Sequence, residues 1–172
     1  ASIANDTIIG DGLEQGTKLG PLQNKMQYEK VKELIESARQ DGNIVAGGEV
    51  PDQSGYFIRP TIVRDVTEGS RIVDEEQFGP VLPVIRFSDE SDAIARANNS
   101  DYGLGGSVWS SDLDRAYDVA NQMNTGTVWI NKHAELDPGI PFGGSKQSGL
   151  GNELGMEGLK EFTQLKMINM AR

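Results

Sequence analysis

The 172-residue sequence contains no cysteine. That absence excludes disulfides, cysteine-ligated zinc and a cysteine nucleophile within the chain. A single histidine, His133, excludes a multi-histidine metal centre. His133 reads as a loop or surface residue, and no side-chain metal site is expected. Apolar residues make up 37% of the chain, and no run approaches the roughly 18–20 residues of a membrane span. No secretory signal is visible, so the expected location is cytoplasmic. Positive charge is scarce: 16 Lys and Arg stand against 26 Asp and Glu, a formal net charge of −10. This balance argues against nucleic acid or an anionic membrane as a partner. The acidic residues are scattered, as on a solvated surface.

Glycine, by contrast, is plentiful, at 21 residues. Five of these fall between 141 and 155, where Gly143, Gly144, Gly149, Gly151 and Gly155 surround Phe142, Lys146, Leu150 and Glu153. A flexible linker would carry Gly and Ser without Phe or Leu. Glycine this dense in a globular sequence means tight turns or close approach of backbone to a neighbour. The stretch from Gly149 to Gly155 has one residue too many for a dinucleotide-binding glycine motif, and no strand runs directly into it.

Helical and strand patterns alternate along the chain, which predicts an α/β fold. Between 24 and 40, Tyr28, Val31, Leu34, Ile35 and Ala38 recur on one helical face, and Asp41-Gly42 ends it. Strands are expected at 44–46, 57–63, 81–87, 105–109 and 127–131, with Pro60 and Pro83 pointing to edge positions. Helices are expected at 88–98, after Asp112 with Leu113, Ala116, Tyr117, Ala120 and Met123 inward, and near 152–162. Trp109 and Trp129 read as core. Residues 164–170 suit a terminal strand at an edge or interface. Strand, helix, strand at this spacing suggests parallel crossovers. No repeat and no domain boundary is evident.

Five segments in order carry a resemblance: Gly20-Pro21-Leu22 before a helix, residues 75–81, Tyr102-Gly103-Leu104, residues 126–131 and residues 141–155. Together they resemble the NAD(P)-dependent aldehyde dehydrogenases over essentially the whole chain. The resemblance implies the C-terminal part of that family's catalytic domain, a three-layer open sheet with mainly parallel strands. Residues 163–172 would form a C-terminal oligomerisation strand. It also implies an upstream cysteine, whose thiolate adds to the aldehyde and forms a thioester that water hydrolyses after hydride has left to NAD or NADP. Most cofactor contacts would lie upstream of Ala1. The isolated chain is expected to be inactive. The whole protein is expected to be a homo-oligomer, dimer or tetramer, acting on an aldehyde.

By the same resemblance, Glu76 binds the nicotinamide ribose hydroxyls, where an ionised acceptor can orient two vicinal hydroxyls. Phe78 packs against the nicotinamide side. On pattern alone, Glu75 and Glu76 are equally surface carboxylates ahead of a buried Phe. Phe142 lines the aldehyde tunnel, and Leu136 falls where many members have an aromatic; both are otherwise ordinary apolar anchors. Asn131 is a structural amide near the site. Glu153 resembles a buried carboxylate linked to proton relay, or is a Glu at a helix N-terminus. Asn152 stands where many members carry arginine. Backbone carbonyls near Lys146 and Gly149 resemble a monovalent-cation site of some relatives. The alternative class is a non-catalytic oligomerisation or interaction module, suggested by the apolar residues of 164–170.

Overall fold

The computed structural model describes residues 1–171. The chain divides into two compact units, Ala1–Arg86 and Phe87–Arg172, at a point where the sequence pattern gives no boundary.

The first unit opens with a short helix, α1 (Ser2–Asp6), and is organised by α2 (Lys25–Asp41). Asn24 caps α2, its side-chain oxygen accepting from the Gln27 N–H at 2.8 Å. Val31, Leu34, Ile35 and Ala38 recur at helical spacing and are all buried. They pack against a three-stranded sheet of order β1–β2–β3, with β1 at Asn43–Ala46, β2 at Thr61–Arg64 and β3 at Val81–Val84. β1 pairs antiparallel with β2, and β2 pairs parallel with β3. A one-turn helix, α3 (Arg71–Asp74), lies on the connection from β2 to β3 and buries Ile72. Pro83 sits within β3, which among the described residues pairs with β2 alone, so its missing N–H leaves no central ladder broken. Val63, Val66, Ile58 and Val81 complete the core. The buried Thr61 hydroxyl donates to the Arg59 carbonyl at 2.8 Å and accepts from the Gly48 N–H at 2.9 Å.

The second unit is built differently. Helix α4 (Glu90–Asn98) leads to β4 (Tyr102–Gly103) and β5 (Gly105–Val108). Helix α5 (Leu113–Gln122) then crosses over to β6 (Thr127–Ile130), which pairs parallel with β5. The glycine-rich run supplies three two-residue strands, β7 (Phe142–Gly143), β8 (Ser145–Lys146) and β9 (Asn152–Glu153), before α6 (Gly155–Lys160). β8 pairs antiparallel with β4, and β7 with β9. The two larger helices are fastened at both ends. Arg115 on α5 pairs with Glu90 on α4. At the other end the Asn98 side chain donates to the Gln122 carbonyl and accepts from the Asn124 N–H, both at 2.7 Å.

The class is α/β on open sheets, with parallel pairs β2–β3 and β5–β6 and antiparallel pairs β1–β2, β4–β8 and β7–β9. Several local expectations differ. Trp109 is not core but 66% exposed. Leu113 and Tyr117 are exposed as well, because α5 is turned so that Ala116 is its buried centre and Val119, Ala120 and Met123 flank it. The third strand ends at Val84, short of Phe87. The last helix begins at Gly155, and Asn152 and Glu153 belong to a strand. Residues 163–171 form no strand within the chain and are exposed; an interface strand would take its hydrogen-bonding neighbour from another chain. Among the described residues no helix is long and apolar enough to cross a membrane.

The units differ most in their cores. In the second, Ala116 and Trp129 are the buried apolar side chains among the described residues, while Phe87, Trp109, Leu113, Tyr117 and Ile140 face outward. An apolar surface of that extent marks a covered face in a working protein. We therefore expect the isolated chain to bind a hydrophobic dye and to associate at micromolar concentration; a monomeric, dye-silent chain would contradict the exposed apolar surface. Leu34 is fully buried, so Leu34→Ala should cost the first unit about 2–5 kcal/mol. Denaturant unfolding followed by circular dichroism checks this.

Candidate active site

Two sets of segments carry the candidate residues, one in each unit. In the first unit the segment from Glu75 to Pro80 joins α3 to β3. Its backbone is tied to α2 by two side chains: the Lys30 ammonium donates to the Glu76 carbonyl at 2.9 Å, and the Gln27 amide donates to the Gln77 carbonyl. The Gln77 side chain in turn donates to the Ile72 carbonyl. Gly79 completes the attachment, because a Cβ there would meet the Val31 side chain at 2.6 Å. The loop can lie this close to the helix only where the residue has no side chain.

The two adjacent carboxylates have different surroundings. Glu75 is held by Arg71, its Oε1 2.6 Å from Nε. That hydrogen bond and the guanidinium charge lower the Glu75 carboxyl below its ordinary value. The Glu76 carboxylate is exposed and has no hydrogen bond or ion pair among the described residues. It is a fixed backbone position with a free anionic acceptor. Phe78 is 67% exposed and adopts φ 46°. A left-handed backbone is costly for a bulky residue and turns its ring outward from a chain that would otherwise continue as extended.

In the second unit, Asn131 closes β6. It also adopts a left-handed backbone, φ 55°, which asparagine tolerates. Its side chain clamps Ser110 at both backbone groups, accepting from the N–H at 2.9 Å and donating to the carbonyl at 2.8 Å. The amide therefore joins the ends of β5 and β6. Leu136 lies on the loop that follows and is 53% exposed. Phe142 begins β7 and is half-buried, with its ring 6.4 Å from that of Trp129. The ring of His133 meets Trp129 edge-on at 5.5 Å, and His133 itself is exposed.

Phe142 and Glu153 are register partners across β7 and β9. Both line a cleft of about 280 Å³ with Leu104, Asn152, Leu150 and Glu161. Glu153 is exposed rather than buried: as the second residue of a two-residue edge strand it faces a glycine-walled cleft with nothing packed over it. Backbone contact is closest at Gly126, where a Cβ would lie 1.7 Å from the Gly143 carbonyl oxygen. The glycines of this region thus pack chain on chain. The Lys146 ammonium donates to the carbonyls of Asn98 and Ser100, each at 2.9 Å. Gly149 adopts φ 128°, with open space where a Cβ would lie. Among the described residues no group of three or more His, Asp or Glu is placed to hold a metal ion.

Gln27, Lys30 and Trp129 carry no site signal of their own in the sequence. Gln27 and Lys30 are three apart on α2, a spacing that puts them on one face beside Val31, yet polar residues at that spacing are ordinary on any solvated helix.

The aldehyde dehydrogenase family matches residues 2–168. The chain is 44% identical over 165 residues to a betaine aldehyde dehydrogenase of Rhizobium leguminosarum bv. trifolii, covering 94% of this chain and 34% of that protein. It is 46% identical over 162 residues to a succinate-semialdehyde dehydrogenase [NADP(+)] of Deinococcus radiodurans, with the same two coverages, 94% and 34%. The fold superposes on the NAD+ complex of an aldehyde dehydrogenase from Bacillus cereus with a TM-score of 0.91 at 43% identity, covering 96% of this chain and 34% of that one. The chain spans about a third of the length of these relatives, 34%. It belongs to the aldehyde dehydrogenase family.

Proposed function

We propose that this chain is the C-terminal part of the catalytic domain of an enzyme that oxidises an aldehyde to a carboxylic acid with NAD or NADP. The observation that carries the reading is the free Glu76 carboxylate beside an outward-turned Phe78 on a loop fixed to α2. An unpaired carboxylate on a rigid backbone suits two vicinal ribose hydroxyls, and an exposed aromatic suits the flat face of a nicotinamide. The cofactor, when bound, accepts the hydride. Glu76 would orient the ribose and so fix where the nicotinamide ring lies. Phe78 would keep water from that side. Phe142 and Leu136 would wall the aldehyde, and Asn131 would hold the β5 and β6 ends from which the Leu136 loop departs. Glu153, facing the cleft beside Phe142, would pass a proton to or from water there. The nucleophile is a cysteine that this chain does not contain.

The isolated chain should therefore give no aldehyde-dependent reduction of NAD or NADP, and robust turnover by the pure 172-residue chain would refute the reading. The native polypeptide should have an intact mass well above 18.6 kDa. A native mass of 18.6 kDa would favour a second reading, a non-catalytic module that associates through its end. That reading has its own observation, the outward Leu165, Met167, Ile168 and Met170, each more than 80% exposed. In either case the apolar end suits a homo-oligomer.

In the full-length enzyme, Glu76→Gln should lower kcat/KM for the cofactor roughly 10- to 100-fold, the range of one charge-assisted hydrogen bond. Glu75→Gln, which loses only an exposed ion pair, should change it by less than about 3-fold. Equal losses in steady-state kinetics would show that the pair acts through loop stability rather than through Glu76.

A further inference from the structure

The backbone between β6 and β7 follows an irregular course. Asn131 and Ala134 adopt left-handed backbones, φ 55° and 53°. Alanine has no side-chain hydrogen bond to offset that geometry, so something must hold the loop. The turn at its far end holds itself. The Gly139 N–H donates to the Asp137 carboxylate at 2.7 Å and the Ile140 N–H to the Asp137 carbonyl at 3.0 Å. From Lys132 to Leu136, however, the backbone makes one hydrogen bond among the described residues. It is the indole N–H of Trp129 donating to the Glu135 carbonyl at 2.8 Å. Leu136 is the next residue.

The donor is well anchored. Trp129 is 8% exposed and lies in β6 opposite Ser107 of β5. Its six-membered ring lies so close over Gly105 that a Cβ there would meet Cζ3 at 2.8 Å. On its other contacts the ring stands 6.4 Å from Phe142, tilted by 34°, and 5.5 Å from His133. One rigid indole is thus linked to the segments of both candidate aldehyde walls by different means: a hydrogen bond to the residue beside Leu136, and ring packing on Phe142.

We propose that Trp129 is a positioning residue for the aldehyde mouth, holding the Leu136 loop through its N–H and Phe142 through its ring, and that it thereby sets which apolar aldehydes fit. The proposal rests on the functional reading above. A small aldehyde that does not reach Leu136 is indifferent to the tether. A long or aromatic aldehyde depends on it, because a loosened loop must be re-ordered on binding.

The test replaces Trp129 in the full-length enzyme with β-(3-benzothienyl)alanine, which keeps the bicyclic shape and substitutes sulfur for the N–H. Trp129→Phe serves as a second variant that keeps an aromatic ring. KM and kcat are measured for acetaldehyde, hexanal and benzaldehyde, and native-state tryptic cleavage is followed at the Lys132–His133 bond of the loop. In the benzothienyl variant we expect cleavage there to rise roughly 3- to 10-fold, the range of one lost hydrogen bond. KM for hexanal and benzaldehyde should rise by a similar factor, with acetaldehyde KM, kcat and the melting temperature nearly unchanged. Trp129→Phe should show the same rise in cleavage and a lower melting temperature, because it also empties part of a buried site. Unchanged cleavage in the benzothienyl variant, or an equal loss for all three aldehydes, overturns the proposal. An unmodified enzyme that turns over no aldehyde overturns the functional reading and this role with it. Unchanged cleavage in an active enzyme overturns this inference alone.

Discussion

The contact between Val31 and Gly79 joins the core of the first unit to the loop that carries Glu76. Val31 belongs to the buried stripe of α2, and a Cβ on Gly79 would strike its methyl groups at 2.6 and 3.2 Å. The position of the loop is therefore set by the same side chains that fill the core. Gln27 and Lys30, on the adjoining face of α2, secure the carbonyls of two successive residues, Gln77 and Glu76. Burial of apolar area thus has a second consequence beyond stability. It fixes a backbone on which an unpaired carboxylate is presented to solvent at little conformational cost.

The second unit reaches a comparable precision with far less core. Its order comes from short polar ties: Asn131 on Ser110, Asn98 on the ends of α4 and α5, Lys146 on two carbonyls, and glycine backbones in direct contact. Each such bond contributes about 1 kcal/mol net, much less than burial of a large side chain. A unit held this way is well defined in geometry and modest in stability. Its outward Phe87, Trp109, Leu113 and Tyr117 agree with a chain that covers about a third, 34%, of its relatives' length.

What could be read in the sequence follows from what is local. Helix α2 was legible because 17 residues carry a full amphipathic period and an Asn cap. Strands β1, β5 and β6 were legible as short apolar runs between turns. Helix α3 was not, since four residues hold no period. Leu113, Tyr117 and Trp109 were misread for one reason: periodicity says which residues share a face, not whether anything covers it. Residues 163–171 are a different case: their alternation suits a strand, and a strand at an interface takes its neighbour from another chain. Glu76, Phe78 and Phe142 were singled out by motif resemblance, and pattern alone could not separate Glu76 from Glu75. Their difference lies in Arg71, four residues back, and only the geometry shows which carboxylate it takes. The tie from Trp129 to the Glu135 carbonyl left no sequence signal, because any residue offers a carbonyl.

The distribution of backbone strain bears on how the site is held. Among the described residues, six that are not glycine adopt positive φ: Asp65, Phe78, Asn131, Ala134, Lys146 and Leu154. Asp65 aside, each lies in or beside a candidate segment. Such residues persist only where their surroundings over-determine them, and the compensation differs from case to case. Asn131 is compensated by its own side chain on Ser110, and Lys146 by its ammonium on two carbonyls. Phe78 has no such bond and its ring is exposed, so its cost is met entirely by neighbours: Gln27, Lys30, Gln77 and the Gly79 contact. The aromatic is displayed because the loop around it cannot relax. That places the constraint on α2, and makes the helix face beside the core, rather than the exposed ring itself, the part of the first unit on which the orientation of Phe78 depends.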